Sequence, residues 1–140
     1  MNTSELIYQG ELRTFATHVY SSTQLFTDAP LDNMGKAQSF SPTDLVAVAL
    51  ASCMVTTVAI LMRNDDIQLE GSTLSVRKIM ASNPRRIASI EIDFKVNNKM
   101  LTESMKEKLE SIAHECPVAK SIHPNIEQKI VFVFGENLNG

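Results

Sequence analysis

Apolar and polar residues alternate at the start of the chain. Over 6–19, Leu6, Tyr8, Leu12 and Ala16 fall on one face and Gln9, Glu11, Arg13 and Thr17 on the other. A period of two predicts a strand, although Phe15 and Val19 break its polar side. Tyr20-Ser21-Ser22-Thr23 reads as a turn, and Gln24–Asp28 as a second short strand. Pro30, Asp32, Asn33 and Gly35 give 29–40 the chemistry of a loop. Ser41-Pro42-Thr43-Asp44 then opens a helix: Ser41 suits the N-cap and Pro42 the first helical position, where no amide donor is missed. Asp44 stands where a capping-box acid reaches back. That helix is expected to run to about Met62, where Arg63-Asn64-Asp65-Asp66 ends it.

Two strands are predicted next, at 74–80 and 87–96, with Asn83-Pro84 as a hairpin turn between them. In the second, Ile90, Ile92, Phe94 and Val96 alternate with Glu91, Asp93 and Lys95. Leu101 or Thr102 begins another helix, whose Met105, Leu109, Ile112 and Cys116 form one apolar stripe. Pro117 marks a break after Cys116. A short helix over 118–123, stopped by Pro124, and a strand over 126–134 complete the order. With no repeat, linker or low-complexity tract, the pattern predicts a single α+β domain over 1–140.

The stretch 45–62 carries no charge over 18 residues, the lower limit for a membrane span. Ser52, Thr56, Thr57 and four alanines dilute it, and neither Trp nor Tyr flanks it. The preferred reading is a helix buried on all sides. A chain of 140 residues hardly supplies that much core alone, which points to a core shared between two copies.

Charge narrows the partners. The net charge is −3, with Lys and Arg scattered and Arg85-Arg86 as the only adjacent basic pair. This argues against a nucleic-acid surface. The first ten residues hold Glu5 and lack an apolar signal core, so the expected location is the cytoplasm. There, two cysteines are inert thiols or a redox couple rather than a structural disulfide.

Cys53 lies midway along the first helix, with Val46, Leu50 and Thr57 on its side. Its plain reading is a small core hydrophobe, and the same holds for Cys116. Both, however, fall on apolar faces of the two main helices, which pack about 8–10 Å apart in a small core. That can bring two sulfurs within reach of each other. A metal site built from His114, Cys116 and His123, with Cys53 or His18, is the rival, but no zinc-like spacing is present. No metal or cofactor is expected. His18 interrupts an apolar strand face, as a hydrogen-bonded core or edge histidine does. A reactive thiolate needs positive charge nearby. Arg13 is the candidate, against the plainer reading of a solvated residue paired with Glu11. Arg85 and Arg86 read as surface.

Two stretches together resemble a known family. Ser41-Pro42-Thr43-Asp44-Leu45 followed by Ala49-Leu50-Ala51-Ser52-Cys53-Met54 is similar to the first-cysteine helix of the OsmC/Ohr proteins. Cys116-Pro117-Val118-Ala119-Lys120-Ser121-Ile122 is similar to their second-cysteine motif. The resemblance covers nearly the whole chain. Residues 12–33, with Arg13, His18 and Asp28-Ala29-Pro30, look like the branch that carries this Ser-Pro-Thr-Asp opening.

The resemblance implies an OsmC-like fold: mixed sheets around two main helices in an intertwined homodimer. It implies reduction of organic hydroperoxides, with Cys53 peroxidatic, Cys116 resolving and a dithiol as reductant. It also shows a departure. Peroxidase branches place Glu directly after the helix-opening proline, whereas here Thr43 stands there and the acid is Asp44. One residue turns a helical side chain by about 100°, so Asp44 is a catalytic candidate that capping alone could explain. Arg13 is the candidate brace for the sulfur. The alternative to an enzyme is a non-catalytic dimer that holds a small apolar ligand between its subunits.

Overall fold

The structure is a computed structural model that describes residues 1–135. Two compact units divide the chain, Met1–Val46 and Ala47–Gly140, with their border inside one helix.

The first unit is a three-stranded antiparallel sheet in the order β1-β2-β3, with β1 at Ser4–Gly10, β2 at Arg13–His18 and β3 at Gln24–Asp28. The single strand expected over 6–19 is therefore a hairpin. Gly10 pairs with Arg13 across Glu11 and Leu12, and these two residues have φ of 52° and 64°. Two successive left-handed residues make the tight turn that suits the twist of paired strands. The Tyr8 hydroxyl accepts the Leu12 N–H at 3.2 Å and steadies it. Neither turn residue is glycine or asparagine, so the sequence carried no turn signal, and apolar alternation resumed on the far side.

Opposite residues of neighbouring strands share a face. Arg13 accordingly meets Asp28, and Phe15 meets Phe26 with ring centroids 4.9 Å apart. Beyond β3 a short 3-10 turn at Leu31–Asn33 folds the loop back. Gly35 is required there, because any side chain would run into the Ala29 carbonyl.

Helix α1, Pro42–Leu61, begins in the first unit and ends in the second. Its predicted start is correct in detail. Ser41 Oγ accepts the Asp44 N–H at 3.0 Å, and the Asp44 carboxylate accepts the Ser41 N–H at 2.9 Å. Two orphan amides of the first turn are thereby satisfied reciprocally.

The second unit contains a mixed sheet in the order β4-β5-β6, from Thr73–Ala81, Arg86–Val96 and Glu127–Phe134. β4 and β5 are an antiparallel hairpin. β6 runs parallel to β5, so the chain must cross over between them. Helices α2, Glu103–His114, and α3, Pro117–Ser121, make that crossover. Thr102 caps α2 by accepting the Met105 N–H at 3.2 Å.

Ile90, Ile92, Phe94 and Val96 are buried along β5, and Phe132 of β6 lies 5.7 Å from Phe94, ring to ring. Leu50, Met54 and Val58 of α1 and Leu109 and Ala113 of α2 complete the core. Each large side chain buried here contributes about 1.5–3 kcal/mol.

The sequence predicts burial on all sides only for a core shared between two copies. Within one chain α1 buries a single stripe, Ala47, Leu50, Ala51, Met54 and Val58, while Val48, Ile60 and Leu61 remain exposed. By length and composition the helix would also pass for a membrane span.

Candidate functional site

Both sulfurs belong to the second unit. Cys53 projects from the middle of α1 and is half-buried; Cys116 is fully buried. Cys116 does not continue the α2 stripe, as its spacing suggested. That helix stops at His114, and Cys116 is instead the N-cap of α3. Its Sγ accepts the Ala119 N–H at 3.4 Å. Pro117 takes the first helical position, where its missing donor costs nothing.

This cap brings the sulfurs together. Cys116 and the backbone N–H of Val118 are close enough to Cys53 to favour its ionised form. One turn along α1, the Thr57 hydroxyl lies 3.8 Å from Cys53 Sγ. Burial pushes the Cys53 thiol up, but the Val118 N–H, Thr57 and Cys116 outweigh it and hold the pKa below that of an ordinary cysteine. Cys116 moves the other way. Burial raises it; the Ala119 N–H opposes this, and the neighbouring Cys53 raises it further. Both cysteines are free thiols, with pKa values displaced in opposite directions.

The other candidates have partners of their own. Arg13 does not pair with Glu11, which bonds Lys36 instead. Arg13 forms a two-pronged pair with the buried Asp28, Nε to Oδ1 at 2.7 Å and Nη2 to Oδ2 at 2.9 Å. Its Nη2 also donates to Gln38 Oε1 at 2.7 Å, and its guanidinium lies 5.5 Å from the Phe26 ring centre. Such a fork fixes the orientation of the cation. Asp28 also accepts the Gln38 N–H at 2.9 Å. Asp44 closes the α1 cap.

The histidines are separated by their roles. His18 bonds Ser21 at a strand end, His123 accepts the Asn125 N–H, and His114 meets the Phe132 ring edge-on at 5.9 Å. Among the described residues no three His, Cys, Asp or Glu side chains gather as a metal would require. Arg86 caps exposed turn carbonyls of Ser82 and Pro84.

A family model described as OsmC-like protein matches residues 35–131, which spans the border between the units. The chain belongs to the OsmC-like protein family.

Among solved structures, this OsmC-like chain is similar to a Psychrobacter arcticus protein named for osmotic stress induction and a detoxification response. Identity is 46%, coverage is 94% of this chain and 96% of that one, and the TM-score is 0.90. A Legionella pneumophila organic hydroperoxide resistance protein OsmC shares the fold at 18% identity, with 96% and 98% coverage and a TM-score of 0.71. A Vibrio cholerae organic hydroperoxide resistance protein, with captopril bound in one of its active sites, does so at 15% identity, 94% and 92% coverage and a TM-score of 0.71. No curated protein matches the chain. The expected α+β, OsmC-like architecture is thus confirmed.

Beside Cys53, the Val118 amide is a backbone group and leaves no side-chain trace in the sequence, whereas Thr57 is legible at i+4. In the first unit, Asp28 faces Arg13 through a strand register that a single strand over 6–19 does not produce.

Proposed function

We propose that the protein is a homodimeric thiol peroxidase that reduces organic hydroperoxides. The observation that carries this reading is the meeting of two free thiols with opposite tendencies to ionise. A thiolate is the nucleophile, and a protonated neighbour is ready to resolve its oxidised form.

In the first step the Cys53 thiolate attacks the terminal oxygen of ROOH. The O–O bond breaks, an S–O bond forms and RO⁻ leaves, to be protonated to the alcohol. Cys53 becomes a sulfenic acid. The Cys116 sulfur then displaces its oxygen as water and an intramolecular disulfide forms. An external dithiol restores both thiols by exchange and is itself oxidised.

Within the first unit, Asp28 and Gln38 hold the direction of the Arg13 guanidinium. The exposed apolar residues of α1, Ile60 and Leu61 among them, support a second copy as the cover. They also support an apolar setting in which alkyl peroxides gain about 0.8 kcal/mol for each methylene buried. The names of the Legionella and Vibrio proteins point to the same substrate class. Free thiols suit the reducing cytoplasm.

One observation favours a non-catalytic binding module: Asp44 is engaged in the helix cap, and Thr43 stands after Pro42. A single experiment separates the two. One equivalent of cumene hydroperoxide is added to the reduced protein and free thiols are counted by mass spectrometry. The peroxidase loses two thiols per chain to an internal bridge, Cys53→Ser loses the reaction, and Cys116→Ser holds a Cys53 sulfenic acid. Retention of both thiols would leave the binding module standing.

A further inference from the structure

The groups beside Cys53 come from two segments of one unit, and α1 supplies its own member, Thr57. We propose that Thr57 is a positioning residue for the reactive sulfur, donating its hydroxyl proton to the Cys53 thiolate; this deepens the peroxidase reading and rests on Cys53 being its nucleophile.

Position is the first support. Residues four apart on a helix lie one above the other, and Thr57 Oγ1 is 3.8 Å from Cys53 Sγ with both residues half-buried. In the neutral pair either atom can donate. Once Cys53 loses its proton only Thr57 can, so ionisation fixes the direction of the bond. A bond to a charged acceptor is shorter and about twice as strong as a neutral one, so the contact closes up on the thiolate.

The composition of the set is the second support. The groups facing Cys53 are Thr57 from its own helix and, from the segment entering α3, the Val118 amide and the Cys116 thiol. Cys116 is the titratable member, and it is consumed when the disulfide forms. Thr57 and the Val118 amide are the donors that do not titrate and are not consumed when the disulfide forms. The amide cannot be tuned by substitution at its side chain. Thr57 can, and in a helix its β-branched side chain is limited to two χ1 rotamers.

The test is the pH profile of Cys53 alkylation by iodoacetamide, followed at the Cys53 peptide by mass spectrometry in the otherwise intact protein. Thr57→Val keeps the shape and removes the hydroxyl. Its midpoint moves up by about one pH unit, so that alkylation at any pH below it is about tenfold slower. Thr57→Ser keeps the hydroxyl and stays close to the wild type. Thr57→Ala replaces the valine variant if that one fails to fold. A valine or alanine midpoint equal to that of the wild type, or a serine variant displaced as far as valine, overturns the assignment. Hydroperoxide turnover is measured in parallel. A displaced profile in a protein whose wild type ignores hydroperoxide would reject the peroxidase and keep Thr57.

Discussion

Replacing Asp44 by alanine removes one half of the reciprocal cap at the start of α1. The carboxylate accepts the Ser41 N–H at 2.9 Å, and Ser41 is buried. Its amide therefore cannot turn to water when the acceptor is lost. Leaving a buried donor unpaired costs about 1–3 kcal/mol. Removing a negative charge from the first turn of a helix costs about 0.3–1 kcal/mol more. The sum, about 2 kcal/mol, agrees with measured losses of good N-terminal caps. In a chain of this size each kcal/mol moves Tm by about 2–4 °C, so Asp44→Ala should melt about 4–8 °C lower. Asp44→Asn keeps an acceptor oxygen and loses only the charge, and should melt about 1–4 °C below the wild type. Thermal unfolding by circular dichroism reads both, and cumene hydroperoxide turnover per folded protein is measured beside it. If the carboxylate only caps, the asparagine variant turns over as the wild type does. Loss of turnover in Asp44→Asn with so small a change in melting would refute this reasoning and return Asp44 to the chemistry.

Oxidation should loosen α3. A disulfide sulfur accepts hydrogen bonds less well than a thiolate, so the Val118 and Ala119 amides should exchange hydrogen faster in the oxidised protein; equal protection in both states would count against the sulfur cap. Asp28 is held below the usual carboxylate range by its bond to Arg13, with burial opposing and the Gln38 N–H assisting. A depressed folded pKa adds stability that is complete above the unfolded value of about 3.9 and lost as pH falls through the folded one. Melting curves across this acid window should thus be steeper for the wild type than for Asp28→Asn, and parallel curves would contradict the pairing. The wild type is expected to sediment as a dimer, and charging the exposed face of α1 with Ile60→Lys and Leu61→Lys should yield monomers; equal sedimentation of the two would count against that face as the contact.

Much of this architecture could be read before any coordinates, because its signals are local. The Ser41–Asp44 cap lies within four residues, and β5 shows its strict alternation in one stretch. What stayed hidden depends on contacts distant in sequence or on backbone alone. The Glu11-Leu12 turn uses left-handed residues without the usual glycine. Arg13 and Asp28 stand 15 residues apart and meet only once that turn and the next are placed. Cys116 has the right spacing for the α2 stripe, yet it lies two residues beyond the end of that helix. The closeness of the thiols was anticipated from helix packing. Its actual cause is the way the α3 cap presents Cys116 and the next amides to α1.

Pro117 gives that cap a consequence of its own. Lacking an N–H, it leaves the opening turn of α3 with no claimant ahead of residue 118. Of the two amides that follow, Ala119 donates to the near sulfur and Val118 acts on both. Any other amino acid at 117 would introduce a third amide beside the sulfurs. The ring thus acts as a spacer in a ruler marked off in amide groups.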